Sequence, residues 1–529
     1  MALSRRKFIQ IANGFVTPLL VGAGSVAKAQ SLVAALSNGT ELDEQWVALG
    51  RDGKLIYKQT PRGDRIMDFS HAGYMGGGVA LPDVPVKVEV TPSGGDDTAA
   101  IQAAINKVSA MPFAGAQRGA VQLGRGTFRC RGTIKISQSG VVLKGAGSDP
   151  AGTTIELTGE PHRCIDVKAA DGNEEVFEAD AAAVPVRIVD DYVPSGSCTL
   201  TLSDTSGLKA GDCILIRRPI TAKWVAFMGM DTLVRDGKKQ TWIRPGKVMT
   251  FERKVQAIQG QRITLDLPLS DCIDADFTGQ GGATVVKAAP DSRLTQIGIE
   301  GIRLISPLPQ GDLSARKFDG IEFKHCTDGW VRDVSSHNPV TVVSVRSVDC
   351  NRITLQRIAC RHDRPIEKGL GYPADFLVQG ARVLMDRCSV EGDWTFFYSS
   401  LGLGETAAVI LDCDFKGNSS IQPHMRWNSG LLVDSCRVPE GGISFQNRKT
   451  AGSGHGWTIG WAVAWNCVAK WYQNEQPPGA VNWVIGCSGK QQSGENFLSH
   501  EKRVRPASLY LAQLRERLGD QAVRNIGRE

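Results

Sequence analysis

Several things are missing from this chain of 529 residues, and each absence removes a class of protein. No cysteines or histidines fall at the CxxC or HxxxH spacings of a structural or catalytic metal site. No cluster of Lys and Arg is interleaved with aromatics, so nucleic acid is not an expected partner. The apolar run near the N-terminus falls short of the ~20 residues that a membrane-spanning helix needs, which argues against stable membrane insertion. No long helical periodicity interrupts the middle of the chain, and no acidic cluster matches a calcium-loop motif. The formal charge of +6 is modest for the length and describes a solvated surface better than a polyanion-binding one.

What is present begins with "SRRKFIQIANGFVTPLLVGAGSVAKAQ", where Arg5 and Arg6 precede a short apolar run that ends in Ala27-Lys28-Ala29. The pattern reads as an export signal over residues 1–29, and the paired arginines resemble the twin-arginine type. The expectation is a bacterial protein, periplasmic or secreted, that meets the twin-arginine export machinery as a partner.

Thirteen cysteines in an exported chain would ordinarily prompt a search for disulfides. Their neighbours suggest otherwise. "RIACRH" (Cys360), "DRCSVEG" (Cys388), "LDCDFKG" (Cys413), "VDSCRVPEG" (Cys436), "AWNCVAK" (Cys467) and "IGCSGK" (Cys487) recur at a loose period, between short β-rich runs broken by Gly, Asn, Asp or Ser. Repeats of this length mean stacked units, and strand-only units stack as a parallel β-helix with equivalent residues in columns. The cysteines then form an inward column of free thiols.

Ahead of this ladder, "GGDDTAAIQAAINKV" (Gly94 to Val108) carries an apolar stripe of Ile101, Ile105 and Val108 with Asp97 or Thr98 as cap. "GAVQLGRGTFRC", "TIKISQSGVVLKGAG" and "TTIEL" follow. From Gly94 to Ile155 this series resembles the pectin-lyase-like right-handed parallel β-helix superfamily, and the resemblance extends loosely to about Gly489. It implies an all-β coil whose N-terminal helix closes the open end, and a carbohydrate-active protein. Members include polysaccharide lyases, glycoside hydrolases, esterases and phage fibre enzymes, so fold alone does not choose the chemistry. "DFSHAGYMGGG" (Asp68 to Gly78) also looks like a segment of carbohydrate-active β-helices.

The expected organisation follows. Residues 30–93 are an extension packing on the coil, 94–181 hold the first turns and capping helix, and 182–286 are an inserted β-rich subdomain. Residues 287–489 form the main coil, and 490–529 a tail with a capping helix built on Leu511, Leu514 and Leu518. In the insert, Trp224 lies in "TAKWVAFMGMDTLVRDGKKQTWIRPG" and reads as part of a sugar-stacking wall.

A strand period of two aligns "DWTFFYS", "SIQPHMR" and "GISFQNR" (Asp393, Ser420 and Gly442 onward). Trp394, Ile421 and Ile443 then point inward, as do Phe396, Pro423 and Phe445. Phe397, His424, Gln422, Gln446, Arg426 and Arg448 point outward on one face. A face that stacks His, Gln and like-charged Arg calls for an anion. Lys368, Arg361 and His362 in "CRHDRPIEKGLGYPAD", and His455 and Trp457 in "TAGSGHGWTIGWAVAW", are placed beside it.

The leading reading is a lyase that cleaves an acidic, uronate-containing polysaccharide by β-elimination. Arg426 and Arg448 neutralise the carboxylate, and His424 is the base, with Lys368 as its substitute. Gln422, Gln446, Arg361, His362, His455, Trp457 and Trp224 bind substrate, and Asp393, Glu391 and Asp363 are the carboxylates that would hold calcium. A glycoside hydrolase using a carboxylate pair is the alternative. A non-catalytic glycan-binding β-helix is the third reading.

Overall fold

One turn of the chain shows how the whole is built. Leu384–Asp386 belongs to the first sheet, Ser389–Glu391 to the second and Phe396–Ser400 to the third; Gly404–Leu411, Asp414–Lys416 and Ser420–Pro423 then repeat the path. Each strand pairs in parallel with its equivalent one turn later: Leu384 with Val409, Ser389 with Asp414, Ser399 with Gln422. The result is a right-handed parallel β-helix, the hand that parallel crossovers take almost without exception. The computed structural model describes residues 45–169, 177–309, 313, 317–364 and 374–529, and from Trp46 to Glu529 they form one compact unit.

A single residue in the left-handed region turns the first sheet into the second. Asp333, Arg357, Arg387, Asp412, Ser435 and Asn466 hold this place with φ between 50° and 58°. In the later turns a cysteine follows at once and points inward. Cys388, Cys413, Cys436, Cys467 and Cys487 are all buried, and all thirteen cysteines are free thiols. Burial pushes the Cys436 and Cys487 thiols up, so they stay protonated and donate to backbone carbonyls, Cys436 Sγ to Ile410 O at 3.2 Å and Cys487 Sγ to Ile485 O at 3.3 Å.

The helix α1 (Thr98–Ser109) covers the N-terminal end, laying Ile101, Ala104, Ile105 and Val108 on the first strands of the first and third sheets. Asp97 precedes it, but its carboxylate binds the Ser93 and Arg129 N–H groups, at 2.8 and 3.1 Å. Asp96 accepts from Thr98 N instead.

The first sheet is buried on both faces, which explains near-continuous apolar runs such as "GLLVDSC" and "IGWAVAW". Leu431 and Val433 face the inner core, whereas Leu432, Trp461, Val463 and Trp465 face an outer one. That outer layer has three parts: the segment from Val47 to Ala72, the inserted strands, and the C-terminal helices. The insert is a six-stranded antiparallel sheet spanning Val186–Arg187 to Thr284–Lys287, and a bridge between Ile188 and Leu202 joins its two edges into a small barrel.

The helices α3 (Leu509–Leu518) and α4 (Asp520–Asn525) run along this flank, α2 being the short Ala222–Phe227 of the insert. Ser508 caps α3, its Oγ accepting from Leu511 N at 3.2 Å, while buried Asp434 of the first sheet accepts from Tyr510 N at 2.8 Å. With the first sheet covered, the outer faces of the second and third remain: the second carries exposed charged side chains such as Arg361, Glu391 and Lys416, and the third largely buried polar ones such as Gln422 and Ser444.

Candidate functional site

On the third sheet, Ile421 pairs with Ile443 and Ser444 with Gln473. Ile421, Ile443 and Tyr472 enter the core, and Gln422 and Ser444 stand on the other face. The preceding turn departs from the alignment drawn from sequence. Tyr398, not Trp394, lies opposite Ile421, and a bulge at Phe397 separates that pair from Phe396 opposite Ser420. A bulge leaves one residue unmatched and shifts what precedes it. Phe397 therefore turns inward and stacks on Phe415 at 5.3 Å, while Trp394 is 37% exposed. Phe396 stands outside, edge-on to His424 at 5.6 Å.

The strand ends at Pro423, and His424 N donates to Ser400 O of the turn before at 2.9 Å. Arg426 and Trp427 follow, both in the left-handed region (φ 67° and 65°), which splits their directions. Trp427 sinks into the outer core and donates to Asp271 Oδ2 at 2.7 Å; Arg426 stays half-buried, donating to Ser453 Oγ at 2.7 Å.

One turn later a loop folds back to bring Arg448 and His455 together. Arg448 N donates to Gly456 O, and Thr458 N and Oγ1 both donate to Gln446 O. Gly456 takes φ 57°, and a Cβ there would meet the Trp242 ring at 2.4 Å, so this loop can close on the insert only with glycine.

The assembled cluster has two arginines and two imidazoles. Arg448 Nη1 lies 2.9 Å from His424 Nδ1, 3.0 Å from Nε2 and 3.2 Å from the His424 carbonyl. The His424 and His455 rings are 4.7 Å apart. Among the described residues no carboxylate lies within ion-pair distance of Arg426 or Arg448. Burial, then Arg448 and His455, push His424 down to about 3; burial, then Arg448 and Arg426, push His455 down to about 4. Both rings are neutral at physiological pH, beside half-buried cations with no carboxylate at ion-pair distance among the described residues. Such a cluster favours an arriving anion, whose charge offsets the guanidinium groups and raises the basicity of the imidazoles.

Other residues singled out from sequence go elsewhere. Trp224 is buried, stacked on Trp242 at 5.1 Å and edge-on to Trp427, so it packs the insert and offers no face to a sugar. Trp457 donates its indole N–H to Met228 O at 3.0 Å, which ties the His455 loop to the insert. Gln422 is nearly buried and Gln446 half-buried beside the cluster. Arg361 and Glu391 stand opposite each other on the second sheet, a different face. His362 points inward to Asp375 at 2.7 Å, with Cys360 Sγ 3.7 Å away; it stands two residues after inward-facing Cys360, so the strand's alternation carries it into the core and away from the cluster. Lys368 lies outside the described residues.

The expected calcium carboxylates do not meet. Asp363 Oδ2 accepts from Asn338, Asp393 Oδ1 accepts from Asn418 N, and Glu391 is exposed on the second sheet. Among the described residues the one grouping of ligand atoms within 4.8 Å is Cys360, His362 and Asp375, a buried set rather than a shell of oxygens. These residues do not fit a calcium site.

Trp471 was not picked out from sequence. It lies on the outer face directly over Gly442, where any Cβ would meet its ring at 2.3 Å, and offers a half-exposed aromatic surface two turns from His424 and three from Phe396. The signal was Gly442 in "GGISF", a glycine inside a strand.

No family model matches the chain, and no curated protein does. Among solved structures it is similar to the tailspike protein gp49 from Pseudomonas phage LKA1, at 16% identity and TM-score 0.40, over 75% of this chain and 56% of that one. It is also similar to the A-module of an Azotobacter vinelandii mannuronan C-5 epimerase (10% identity, TM-score 0.30, 82% and 96% covered). A tailspike of E. coli bacteriophage HK620 in complex with a pentasaccharide is a third (9% identity, TM-score 0.31, 87% and 63% covered).

Proposed function

We propose that the protein is an exported polysaccharide lyase that cleaves an acidic, uronate-containing glycan by β-elimination on the outer face of the third sheet. One observation carries this reading: two guanidinium groups without carboxylate partners among the described residues flank two neutral imidazoles. Arg448 and Arg426 bind the uronate carboxylate, which makes the proton on the adjacent C5 more acidic. Arg448 moves its hydrogen bond from the His424 ring to that carboxylate, the freed ring nitrogen takes the C5 proton, the C4–O4 bond breaks, a C4=C5 double bond forms, and water protonates the departing O4. The bound carboxylate offsets Arg448, so the His424 ring becomes a stronger base when substrate is in place than in the free protein. Trp471 and Phe396 supply apolar surface for neighbouring sugar rings. Arg5 and Arg6 support export by the twin-arginine route.

The test follows the ultraviolet absorbance of the unsaturated uronate while the protein acts on a panel of acidic polysaccharides, with and without calcium, beside a His424→Ala variant. A rise that the variant abolishes is expected. New reducing ends without the absorbance would overturn elimination in favour of hydrolysis. Saturable glycan binding with neither product would leave a glycan-binding coil.

A further inference from the structure

The segment "DFSHAGYMGGG" takes no part in the cluster on the third sheet. Its His71 lines a cleft of about 300 Å3 between the insert, the coil and the helix α3, which also receives Arg253, Lys254, Arg352, Arg382 and Arg517. Two acidic side chains, Glu252 and Asp266, line it as well.

On the lining five cations face two carboxylates, and three of the cations, Arg382, Arg517 and Lys254, have no carboxylate at hydrogen-bond distance among the described residues. Arg253 is engaged by Glu405 through two bonds of 2.8 and 2.5 Å, and Arg352 by Asp328 at 2.8 and 2.7 Å. Glu252 accepts from Arg293 at 2.9 and 3.0 Å and from Asn351 at 3.0 Å, and Arg293 is held by Asp291 as well, at 2.8 and 2.7 Å. Arg382 lies 3.8 Å from Glu252 Oε2 and donates its Nε to Asn351 and its Nη1 to the Glu252 carbonyl at 3.3 Å. Among the described residues Arg517 donates to Ser70 Oγ and to the carbonyls of Ser70 and Gly76, with Asp68 nearby but not hydrogen-bonded to it. Asp266 Oδ1 accepts from the backbone of Lys254, and no carboxylate lies within ion-pair distance of the Lys254 ammonium among the described residues. Burial and the guanidinium groups of Arg517, Arg382 and Arg253 push His71 down to about 3, and its nearest carboxylate, Asp68, is 3.8 Å away. Cations gathered in a partly desolvated cleft whose carboxylates do not reach hydrogen-bond distance are stabilised by an anion.

We infer that this cleft is a second anion-binding site, taking one small oxyanion-bearing molecule with Arg382, Arg517 and Lys254 as its charge partners. Its volume is at the lower end of the about 300–1,000 Å3 of small-molecule pockets, which suits a single sugar acid or an inorganic oxyanion and not a glycan chain. It shares no residue with the third-sheet cluster and does not rest on the lyase reading.

The experiment is calorimetric titration of the full chain carrying Arg448→Ala, which weakens the third-sheet cluster, with D-glucuronate, inorganic phosphate and neutral D-glucose. One-site binding of either anion and none of glucose is expected. Tighter binding of glucuronate identifies the occupant as a sugar acid, and tighter phosphate an inorganic oxyanion. Lys254 is exposed, so Lys254→Ala leaves the fold intact and should weaken binding by about tenfold; Arg382→Gln, checked by circular dichroism, should do the same. Absence of heat with both anions would overturn the inference, as would affinities unchanged in both variants.

Discussion

Arg448 and His424 share one position from two turns of the coil: a single guanidinium nitrogen sits 2.9 and 3.0 Å from the two nitrogens of the imidazole. The ring accepts from the cation and does not carry charge itself. Removing Arg448 takes away one of the influences that depress His424 and leaves burial, the largest, in place. In Arg448→Ala, the His424 pKa is therefore expected to rise from about 3 without reaching its ordinary value, read by NMR titration of the ring.

If His424 is the base, His424→Ala should lower kcat/KM on the acidic glycan by on the order of 10²-fold or more. Arg448→Lys keeps the charge but not the paired geometry, and should fall between wild type and Arg448→Ala, mainly through KM.

Stability should depend on pH in two opposing windows. His71, His424 and His455 have folded pKa values of about 3, 3 and 4, below the ordinary 6.5, so the unfolded chain binds protons first as pH falls. Their contribution is complete above about 6.5 and is lost as pH drops toward 4 and 3. Asp434 is pushed up to about 7 by burial, so its folded carboxyl keeps a proton that the unfolded one releases, and its contribution declines between pH 3.8 and 7. Melting temperature against pH should lose part of its acid limb in a His71→Gln, His424→Gln double variant. Asp434→Asn should flatten the neutral side.

Arg253 and Glu405 form a fully buried bidentate pair that joins the insert to the coil. Truncating either to Ala should cost about 3–5 kcal/mol in denaturant unfolding, because the partner is left as a bare buried charge. Arg253→Met with Glu405→Leu should recover most of that loss.

The thiol column predicts indifference to reductant. Thirteen thiols should react in the unfolded protein without prior reduction, and the melting temperature should not move with dithiothreitol.

Much of this was legible along the chain because a coil repeats itself. The recurrence of cysteine after a turn residue determined the inward column, and the stripe of Ile101, Ile105 and Val108 determined the helix that covers the end. The pairing of Ile421 with Ile443 also followed from a period of two. What that period could not carry was a bulge. One extra residue at Phe397 moved Trp394 and Phe396 out of the core, whereas His362, two residues after inward-facing Cys360, turns in as the period of two requires. Nor does local sequence say which outer face is covered. The first sheet lies beneath the insert, the N-terminal segment and the C-terminal helices, contacts separated by hundreds of residues, and this buries Trp224 and engages the Trp457 N–H. Strand periodicity is a property of neighbours a few residues apart, whereas the arginines and imidazoles that converge around His424, and the cations around His71, are set by long-range packing that only the folded chain defines.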